Sequence, residues 1–204
     1  MTYAIGDIHG CLEELIELIQ KLDLRKKDKL VFIGDYIDRG PDPKGVIDLL
    51  LSLKAHYNCV FIRGNHEQML LDYIDNDFKG SDWLLNGYEK TVESYGGSVE
   101  NIPENHIDFF RDTIFYYNEK EFVFVHAGVR PNIPLKDQKL GDLLWIRSDF
   151  LNVDNPLFGK RVIFGHTPFL NPMIKEYKIG IDTGCVFKGK LTAFRIDDYE
   201  VFQT

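Results

Sequence analysis

Five short segments of the chain place metal-binding or proton-transfer side chains between or beside glycines. They are residues 6–10 (GDIHG), 34–40 (GDYIDRG), 64–67 (GNHE), 126–128 (HAG) and 165–167 (GHT). Each follows a short apolar run, which is typical of a loop at the end of a buried strand. Carboxylate, amide and imidazole donors gathered in such loops can bind cations. The pattern predicts a site for two metal ions.

The candidate ligands fall into two groups that share one carboxylate. Asp7 and His9 are one residue apart, so at a strand end both can reach the same cation. Asp35 ends the next strand along the chain, and a carboxylate can bridge two metals. Mixed carboxylate and imidazole ligation suits manganese, iron or zinc better than calcium or magnesium, and we expect manganese, with iron or zinc as alternatives. The expected ligands are Asp7, His9 and Asp35 around one ion, and Asp35, Asn65, His126 and His166 around the other.

Each segment also has a simpler explanation. The glycines can be turn residues that need a positive φ, and strand-end aspartates are common helix caps. Taken alone, Asp7 and His9 are a weak metal signal, and Asn65 could simply begin a helix. Five such coincidences in one chain are improbable, so the metal interpretation is favoured. His56 and His106 stand outside these segments, and for them we expect ordinary structural roles.

The composition is that of a globular protein with an acidic balance. Of the 204 residues, 44% are hydrophobic and 27% are charged, and the net charge is -8. Nucleic acids and anionic membranes bind clustered positive charge, so neither is an expected partner. No run approaches the ~20 apolar residues of a membrane span. The three cysteines, Cys11, Cys59 and Cys185, form no C-x-x-C pair, and we expect reduced structural thiols in a soluble, cytoplasmic protein.

The apolar pattern predicts an α/β domain. Strands and helices alternate in the first third of the chain, with helices near residues 12–22 and 46–53, which predicts a βαβαβ unit with a mostly parallel sheet. The segment at about 66–111 is predicted to be helical, and a turn is predicted at 118–121. No linker interrupts the chain, so we expect a single domain of residues 1–204. The predicted strands are residues 3–5, 29–33, 59–62, 114–117, 122–125, 162–164, 179–181, 191–196 and 201–202.

The five segments, in this order, resemble the signature of the phosphoprotein phosphatase family of binuclear metallophosphoesterases. The resemblance spans about residues 5–195. Residues 144–147 (LWIR) and 180–185 (GIDTGC) resemble its compact bacterial and phage branch, which also includes symmetrical dinucleoside tetraphosphatases. The resemblance implies a calcineurin-like metallophosphoesterase fold, in which two mixed β-sheets pack as a sandwich flanked by helices.

The expected chemistry is hydrolysis of a phosphate ester. Two cations bridged by Asp35 would share a water and lower its pKa, and the resemblance implies that the metal-bridging hydroxide attacks phosphorus in line, without a phosphoenzyme. His66, beside Asn65, is placed to protonate the leaving oxygen, and Asp38 can orient its ring. Guanidinium groups match phosphate oxygens, so the candidate phosphate clamps are Arg39, Arg63 and Arg147. Glu67 is expected to support the site without binding metal.

The substrate stays open between two classes of phosphate ester. The leading hypothesis is a serine/threonine protein phosphatase, with dual specificity as a variant, and the alternative is a symmetrical bis(5'-nucleosyl)-tetraphosphatase. Dinucleoside hydrolases of this family look longer than this chain, which favours a phosphorylated protein or peptide over a dinucleoside polyphosphate. The aromatics that can stack on nucleobases, or serve as core and lid residues instead, are Trp83, Tyr88, Tyr95 and Trp145.

Two smaller hypotheses complete the interpretation. Tyr88 stands where the family often has glycine, and we hypothesise that it narrows the substrate entrance. A catalytically silent binding protein of the same fold is the remaining class, but such a protein is expected to lose ligands or the acid. Because none is missing, an enzyme is favoured.

Overall fold

Two five-stranded sheets pack face to face, and helices cover their outer surfaces. The structure is a computed structural model that describes residues 1–75 and 78–204. Both sheets mix parallel and antiparallel pairs. The strand order of the first sheet is β10 (Glu200–Gln203), β9 (Thr192–Arg195), β1 (Thr2–Ile5), β2 (Lys29–Phe32), β3 (Asn58–Phe61). The order of the second is β4 (Tyr116–Glu119), β5 (Phe122–Val125), β6 (Arg161–Phe164), β8 (Lys178–Gly180), β7 (Met173–Ile174). The prediction of two mixed sheets flanked by helices is confirmed.

The first sheet is built on the predicted βαβαβ unit. Its strands pair in parallel, with Ala4 beside Val31 and Val31 beside Val60. Helix α2 begins where the Asp42 carboxylate accepts a hydrogen bond from the backbone of Gly45 (2.8 Å), which satisfies an otherwise free N–H. The elements are β1 (Thr2–Ile5), α1 (Leu12–Lys21), β2 (Lys29–Phe32), α2 (Pro43–His56) and β3 (Asn58–Phe61).

The middle segment is helical, as predicted, although residues 76–77 lie outside the described part of the chain. Gly96 and Gly97, both with positive φ, follow α4 and turn the chain towards the next helix. None of the helices within 1–75 and 78–204 is long and apolar enough to cross a membrane. The elements are α3 (Asn65–Ile74), a 3-10 helix (Phe78–Leu85), α4 (Glu89–Ser94), a 3-10 turn (Val99–Asn101) and α5 (Glu104–Asp112).

The second sheet differs from the prediction at its first hairpin. Glu119 pairs with Phe122, so the loop holds only Lys120, at φ 53°, and Glu121, instead of four residues. Ile114, expected in this strand, forms an isolated bridge to Ile62. The elements are β4 (Tyr116–Glu119), β5 (Phe122–Val125), a 3-10 turn (Leu135–Asp137), α6 (Leu140–Trp145), α7 (Ser148–Leu151), β6 (Arg161–Phe164), β7 (Met173–Ile174), β8 (Lys178–Gly180), a 3-10 turn (Cys185–Phe187), β9 (Thr192–Arg195) and β10 (Glu200–Gln203).

Alternation along the strands sends one face of each sheet into a shared core. This apolar cluster excludes water between the sheets, and so it fixes how their edges align. The cluster combines Ala4, Val31 and Ile33 of the first sheet region with Phe124, Ile163 and Ile179 of the second.

The glycine-flanked loops converge because these two sheets align. The N–H groups of Ile8 and His9 both donate to the backbone oxygen of Asp35, at 3.0 and 2.8 Å. In the second sheet, the N–H of Gly165 donates to the oxygen of His126 (2.8 Å). Backbone hydrogen bonds therefore join the loops in pairs and bring their side chains to one edge of the sandwich.

Candidate active site

An open cavity of about 240 Å³ lies where the loops meet. Its floor carries most of the predicted ligands, and its walls carry cationic and aromatic side chains. His126 lies fully buried just behind the floor. The residues that line the cavity and enter the argument below are Asp7, His9, Asp35, Arg39, Asn65, His66, Trp145, Arg147, His166, Asp182, Cys185 and Phe187.

The first group of predicted ligands surrounds one oxygen of Asp35. His9 Nε2 lies 3.3 Å from Asp35 Oδ2. The Nδ1–H of His9 donates to the backbone oxygen of Ile37 (2.8 Å), so Nε2 carries the lone pair. Asp7 Oδ1 is buried without a hydrogen-bond partner, and burial, followed by the charges of Asp182 and Asp35, raises the pKa of Asp7 well above its usual value. A divalent cation would compensate this crowded negative charge.

The second group surrounds the other oxygen of Asp35. His126 Nε2 lies 3.4 Å from Asp35 Oδ1 and 2.8 Å from Asn65 Oδ1. Because the Nδ1–H of His126 donates to Ile33 O (2.9 Å), a neutral ring turns its Nε2 lone pair towards the Asn65 oxygen. A cation beside these two atoms would stabilise such a close pair of acceptors.

His166 completes the second group as a neutral ligand. Its Nδ1 lies 2.9 Å from Asn65 Oδ1. Burial lowers the pKa of His166 to about 3. Metal binding requires a neutral imidazole, so the donor set of both groups fits two divalent ions that share Asp35. Two clusters around Asp35 are able to bind metal, one with His9 and His66 and the other with His126 and His166. The first of them includes His66, the predicted acid, and lacks Asp7, a predicted ligand.

Glu67 fixes the loop that carries Asp35. Its carboxylate accepts hydrogen bonds from the backbone N–H groups of Asp35 (2.9 Å), Tyr36 (2.8 Å) and Gly64 (2.9 Å). It does not line the cavity. Glu67 therefore acts on the position of Asp35 through the backbone, in keeping with the expectation that it supports the site.

Strained backbone is concentrated in the same loops. Several residues other than glycine have positive φ, a conformation that costs energy and clusters at functional sites. Gly165 meets a different constraint, since a Cβ atom there would overlap Asp7 Oδ1. The absence of that atom lets the N–H of His166 donate to Asp7 Oδ2 (2.9 Å). The strained residues of the site are His9, Asp35, Asp38, Arg39 and His166.

His66 and Asp38 form a buried pair beside the metal ligands. His66 Nδ1 lies 2.6 Å from Asp38 Oδ2, and its Nε2 is buried without a partner, 4.0 Å from Asp35 Oδ2. Burial lowers the pKa of His66, which the charges of Asp35 and Asp38 oppose. Two further donors hold Asp38: Trp83 Nε1–H (2.8 Å) and the Thr91 hydroxyl (2.5 Å). No local pattern indicates that Trp83 or Thr91 lies at Asp38, because only folding brings them there.

Two of the three predicted phosphate clamps lie at the cavity. Arg39 lines it and its Nη1 donates to His9 Nε2 (2.9 Å), and Arg147 lines it with Nη2 donating to the backbone oxygen of His166 (3.3 Å). Both guanidinium groups face the space above the ligands.

Arg63 does not line this cavity. Its Nε donates to the Thr113 hydroxyl (2.8 Å), Nη1 to Gln68 Oε1 (3.0 Å), and Nη2 to the backbone oxygens of Phe110 (3.1 Å) and Arg111 (2.8 Å). All three nitrogens are used to tie the start of α3 to the end of α5. The geometry opposes a phosphate contact by Arg63 and gives it a structural role.

Three of the four candidate stacking aromatics are packing residues. Trp83 and Tyr95 are buried, and the Tyr95 hydroxyl is 2.8 Å from His106 Nδ1. Tyr88 packs on Trp83, with ring centres 5.4 Å apart, and does not line the cavity. The hypothesis that Tyr88 narrows the entrance is therefore not supported. His56 and His106 also lie outside the cavity.

Two exposed aromatic rings stand at the cavity rim. Trp145 is 43% exposed, and Phe187 is 62% exposed. The Trp145 ring lies edge-to-face with His166 at 5.8 Å, and Arg39 Cζ lies 5.7 Å from the Phe187 ring. Sequence reasoning included Trp145 among the possible stacking residues and missed Phe187, which sits in no recognisable pattern.

Cys11 and Cys185, 174 positions apart, come together in the fold. Their sulfurs and a Glu14 carboxylate oxygen lie within 4.8 Å of one another. All three described cysteines are free thiols, as predicted. The proximity of two of them had no signal in the sequence.

On this β-sandwich, one carboxylate lies between two groups of nitrogen and oxygen donors. Such an arrangement is that of a metallophosphoesterase, a hydrolase that uses divalent metals. The comparison with protein families agrees: the calcineurin-like phosphoesterase family matches residues 2–190. The chain belongs to that family.

Two curated relatives are similar over nearly the whole chain. It is 33% identical to the asymmetrical bis(5'-nucleosyl)-tetraphosphatase PrpE of Oceanobacillus iheyensis, covering 96% of this chain and 88% of that protein. It is 30% identical to the protein of the same name from Geobacillus sp. (strain WCH70), covering 96% of this chain and 90% of that protein.

Solved structures share the fold at low sequence identity. A protein solved as a candidate diadenosine tetraphosphatase superimposes with a TM-score of 0.79 at 22% identity, covering 100% of this chain and 92% of that one. A protein serine/threonine phosphatase from Saccharomyces cerevisiae superimposes with a TM-score of 0.71 at 16% identity, covering 100% of this chain and 78% of that one. At these identities the likeness shows the calcineurin-like fold alone.

Proposed function

We propose that the protein hydrolyses dinucleoside tetraphosphates asymmetrically, to a nucleoside monophosphate and a nucleoside triphosphate. The observation that carries the proposal is the cavity itself, where the predicted metal ligands share one space with two exposed aromatic rings, Trp145 and Phe187. Aromatic faces stack on nucleobases, which a phosphorylated side chain lacks. The likeness to asymmetrical tetraphosphatases over 96% of the chain supports the same substrate.

The six predicted ligands would hold two divalent ions, for which we propose manganese, with iron or zinc as alternatives. When bound, such ions polarise phosphate oxygens and make an attacking hydroxide available at neutral pH. The chain's own contribution is to fix the donors. The ligands are Asp7, His9, Asp35, Asn65, His126 and His166.

His66 is the proposed proton donor to the leaving oxygen. Its Nε2 is the one ring nitrogen free to face the cavity, because Nδ1 is paired with Asp38. Asp38 orients the ring and stabilises its protonated form. Trp83 and Thr91 hold Asp38 in place.

Arg39 and Arg147 are the proposed phosphate-binding residues. They approach the cavity from different walls, one beside His9 and the other beside His166. A polyphosphate carries several negative charges, and two separate cations suit such a chain. Arg63 has no part in this proposal.

The proposed substrate differs from the leading hypothesis of the sequence analysis. That hypothesis favoured a phosphoprotein because the family's dinucleoside hydrolases look longer. The two PrpE relatives match this chain over 88% and 90% of their own length, so chain length does not oppose a dinucleoside substrate. Their name also specifies asymmetrical cleavage, whereas the alternative hypothesis was symmetrical cleavage.

Product analysis tests the proposal. The purified protein with Mn²⁺ is incubated with diadenosine tetraphosphate, and products are separated by ion-exchange chromatography. We expect equal amounts of AMP and ATP. Two ADP molecules per substrate would support symmetrical cleavage and refute the proposal. Faster turnover of a phosphoserine or phosphothreonine peptide than of the dinucleotide would refute it in favour of a protein phosphatase.

A further inference from the structure

Trp145 has a position that packing does not explain. It is the last residue of α6, and 43% of its surface is exposed although indole is among the largest apolar side chains. It lines the metal-binding cavity and also a shallow depression on its other side, near Arg130 and Asp149. The ring therefore forms a wall between two spaces.

The same ring stands next to a predicted metal ligand. Its centre is 5.8 Å from the centre of the His166 ring, and the two planes are nearly perpendicular (86°). This edge-to-face contact fixes one ring against the other. Anything stacked on the Trp145 face is therefore held within a short distance of the reacting phosphate.

Distance from base to metal centre decides which phosphate can react. Asymmetrical cleavage breaks the bond between the first and second phosphates, so the nearer base is separated from the attacked phosphorus by its ribose alone. In symmetrical cleavage, a further phosphate lies between them. A base held beside the metal ligands therefore places the first phosphate, the one attached to its own ribose, at the metal centre. A base held farther away would place the second phosphate there.

We propose that Trp145 is the nucleobase platform that sets the cleavage position, by stacking on the base of the nucleoside whose own phosphate is attacked. This proposal rests on the proposed function. In the reaction the water oxygen bonds to that phosphorus, and the bond from it to the oxygen bridging the second phosphorus breaks. One water is consumed, the bridging oxygen leaves with the triphosphate, and His66 gives it a proton.

Trp145 suits this task better than Phe187, the other exposed ring. The guanidinium of Arg39 already lies over the Phe187 ring, with Cζ 5.7 Å from its centre. Within residues 1–75 and 78–204, no cation is found over the Trp145 ring. Two residues after it, Arg147 stands on the same wall and donates to the backbone of His166. One short segment thus offers both a stacking face and a cation at the same cavity.

Trp145→Ala tests the proposal through the identity of the products. With diadenosine tetraphosphate we expect kcat/KM to fall by about tenfold to a hundredfold, as for loss of one base–aromatic stack. We also expect ADP to appear among the products, because the phosphate chain can then shift by one position. Trp145→Phe, which keeps a ring, is expected to restore the AMP and ATP pattern.

Two controls separate base recognition from a general defect. With p-nitrophenyl phosphate, which has no base, the loss in Trp145→Ala is expected to be smaller than with the dinucleotide. Phe158→Ala removes an aromatic ring of similar exposure (66%) that lies outside the cavity. It is expected to change neither the rate nor the products.

Binding without turnover gives an independent measurement. The chain has two tryptophans, and Trp83 is fully buried, so quenching of fluorescence by AMP in chelator-treated protein reports mainly on Trp145. We expect AMP to quench the wild-type fluorescence, and fluorescence that saturating AMP leaves unchanged would overturn stacking on Trp145.

The outcomes distinguish this proposal from the proposed function. No hydrolysis of diadenosine tetraphosphate by the wild type would overturn the proposed function. Hydrolysis to AMP and ATP by both the wild type and Trp145→Ala, with equal losses on the dinucleotide and p-nitrophenyl phosphate, would overturn the platform alone.

Discussion

The metal-binding floor of the cavity and its rim are constructed differently. On the floor, donors are buried and their rings are set by backbone carbonyls, as His9 is by Ile37 and His126 is by Ile33. At the rim, Trp145 and Phe187 are exposed. From this difference we propose that the chemistry depends on a fixed framework, whereas the substrate preference depends on side chains that packing leaves free to vary.

The largest expected effect comes from the shared carboxylate of the floor. Asp35→Asn removes the charge that faces both groups of ligands, so we expect both ions to be lost. Activity on p-nitrophenyl phosphate is expected to fall by at least about a thousandfold, because metal ions supply several kcal/mol of transition-state stabilisation. Metal content by mass spectrometry and steady-state rates measure this.

Asp108→Asn is the matched control, since Asp108 is exposed on α5. It should retain both metals and full activity. Two tightly bound ions in Asp35→Asn would argue against a bridging role for Asp35.

The next prediction distinguishes whether His66, on the cavity floor, is a proton donor or a metal ligand. His66→Asn is expected to lower kcat by about 10² to 10⁴, the usual contribution of general acid catalysis. Metal content should stay nearly unchanged, because His66 is paired with Asp38 through Nδ1. His56→Asn, at an exposed histidine, serves as control. Metal loss in proportion to activity would show that His66 is a ligand.

Arg39 and Arg63 allow an effect on catalysis at the cavity to be compared with an effect on stability in the framework. Arg39→Ala is expected to lower kcat/KM about tenfold to a hundredfold, because it removes a charged hydrogen-bond donor from the cavity. Arg63→Met is expected instead to reduce the free energy of unfolding by about 1–3 kcal/mol, since it removes the hydrogen bonds to Thr113, Gln68 and the backbone oxygen of Arg111. Kinetics and chemical denaturation measure the two effects. A large kinetic defect in Arg63→Met without lost stability would return Arg63 to the phosphate site.

The smallest expected effect concerns Trp83, which supports the proposed proton donor His66 by holding Asp38. Trp83→Phe removes one hydrogen bond to Asp38 (2.8 Å) and leaves the carboxylate with two other donors. We expect kcat to fall up to about tenfold and stability to decrease by about 1–3 kcal/mol. In an Asp38→Asn background the same change should cost much less in kcat. Equal costs in both backgrounds would mean that Trp83 acts only on packing.

Much of the fold and most of the donor set could be predicted because their signals are local. The period of apolar residues around α1 and α2 indicates helices, and the loops at 6–10 and 34–40 follow buried strands directly. Asp7, His9 and Asp35 meet at one edge because parallel strands end there. The ligand roles themselves stay predictions, although the geometry brings all six side chains together.

Features that depend on long-range packing could not be predicted. Arg63 sits in a motif loop as Arg39 does, and only the position of α5 turns its side chain away from the cavity. Trp83 reaches Asp38 across 45 positions, and Cys11 meets Cys185 across 174. No periodic pattern encodes such contacts. The hairpin at Lys120 differs from the prediction because Asn118 and Glu119 are polar although they belong to a strand. This edge strand alternates exposed and half-buried positions and has no fully buried one, so its end carries no apolar pattern.

Anomalous scattering from crystals grown with Mn²⁺, collected at the manganese absorption edge, tests the paired metal centre most directly. Two peaks are expected on either side of the Asp35 carboxylate, one near His9 and Asp7, the other near Asn65, His126 and His166. A map without peaks at this carboxylate, or with these side chains turned away from one another, would contradict the binuclear centre.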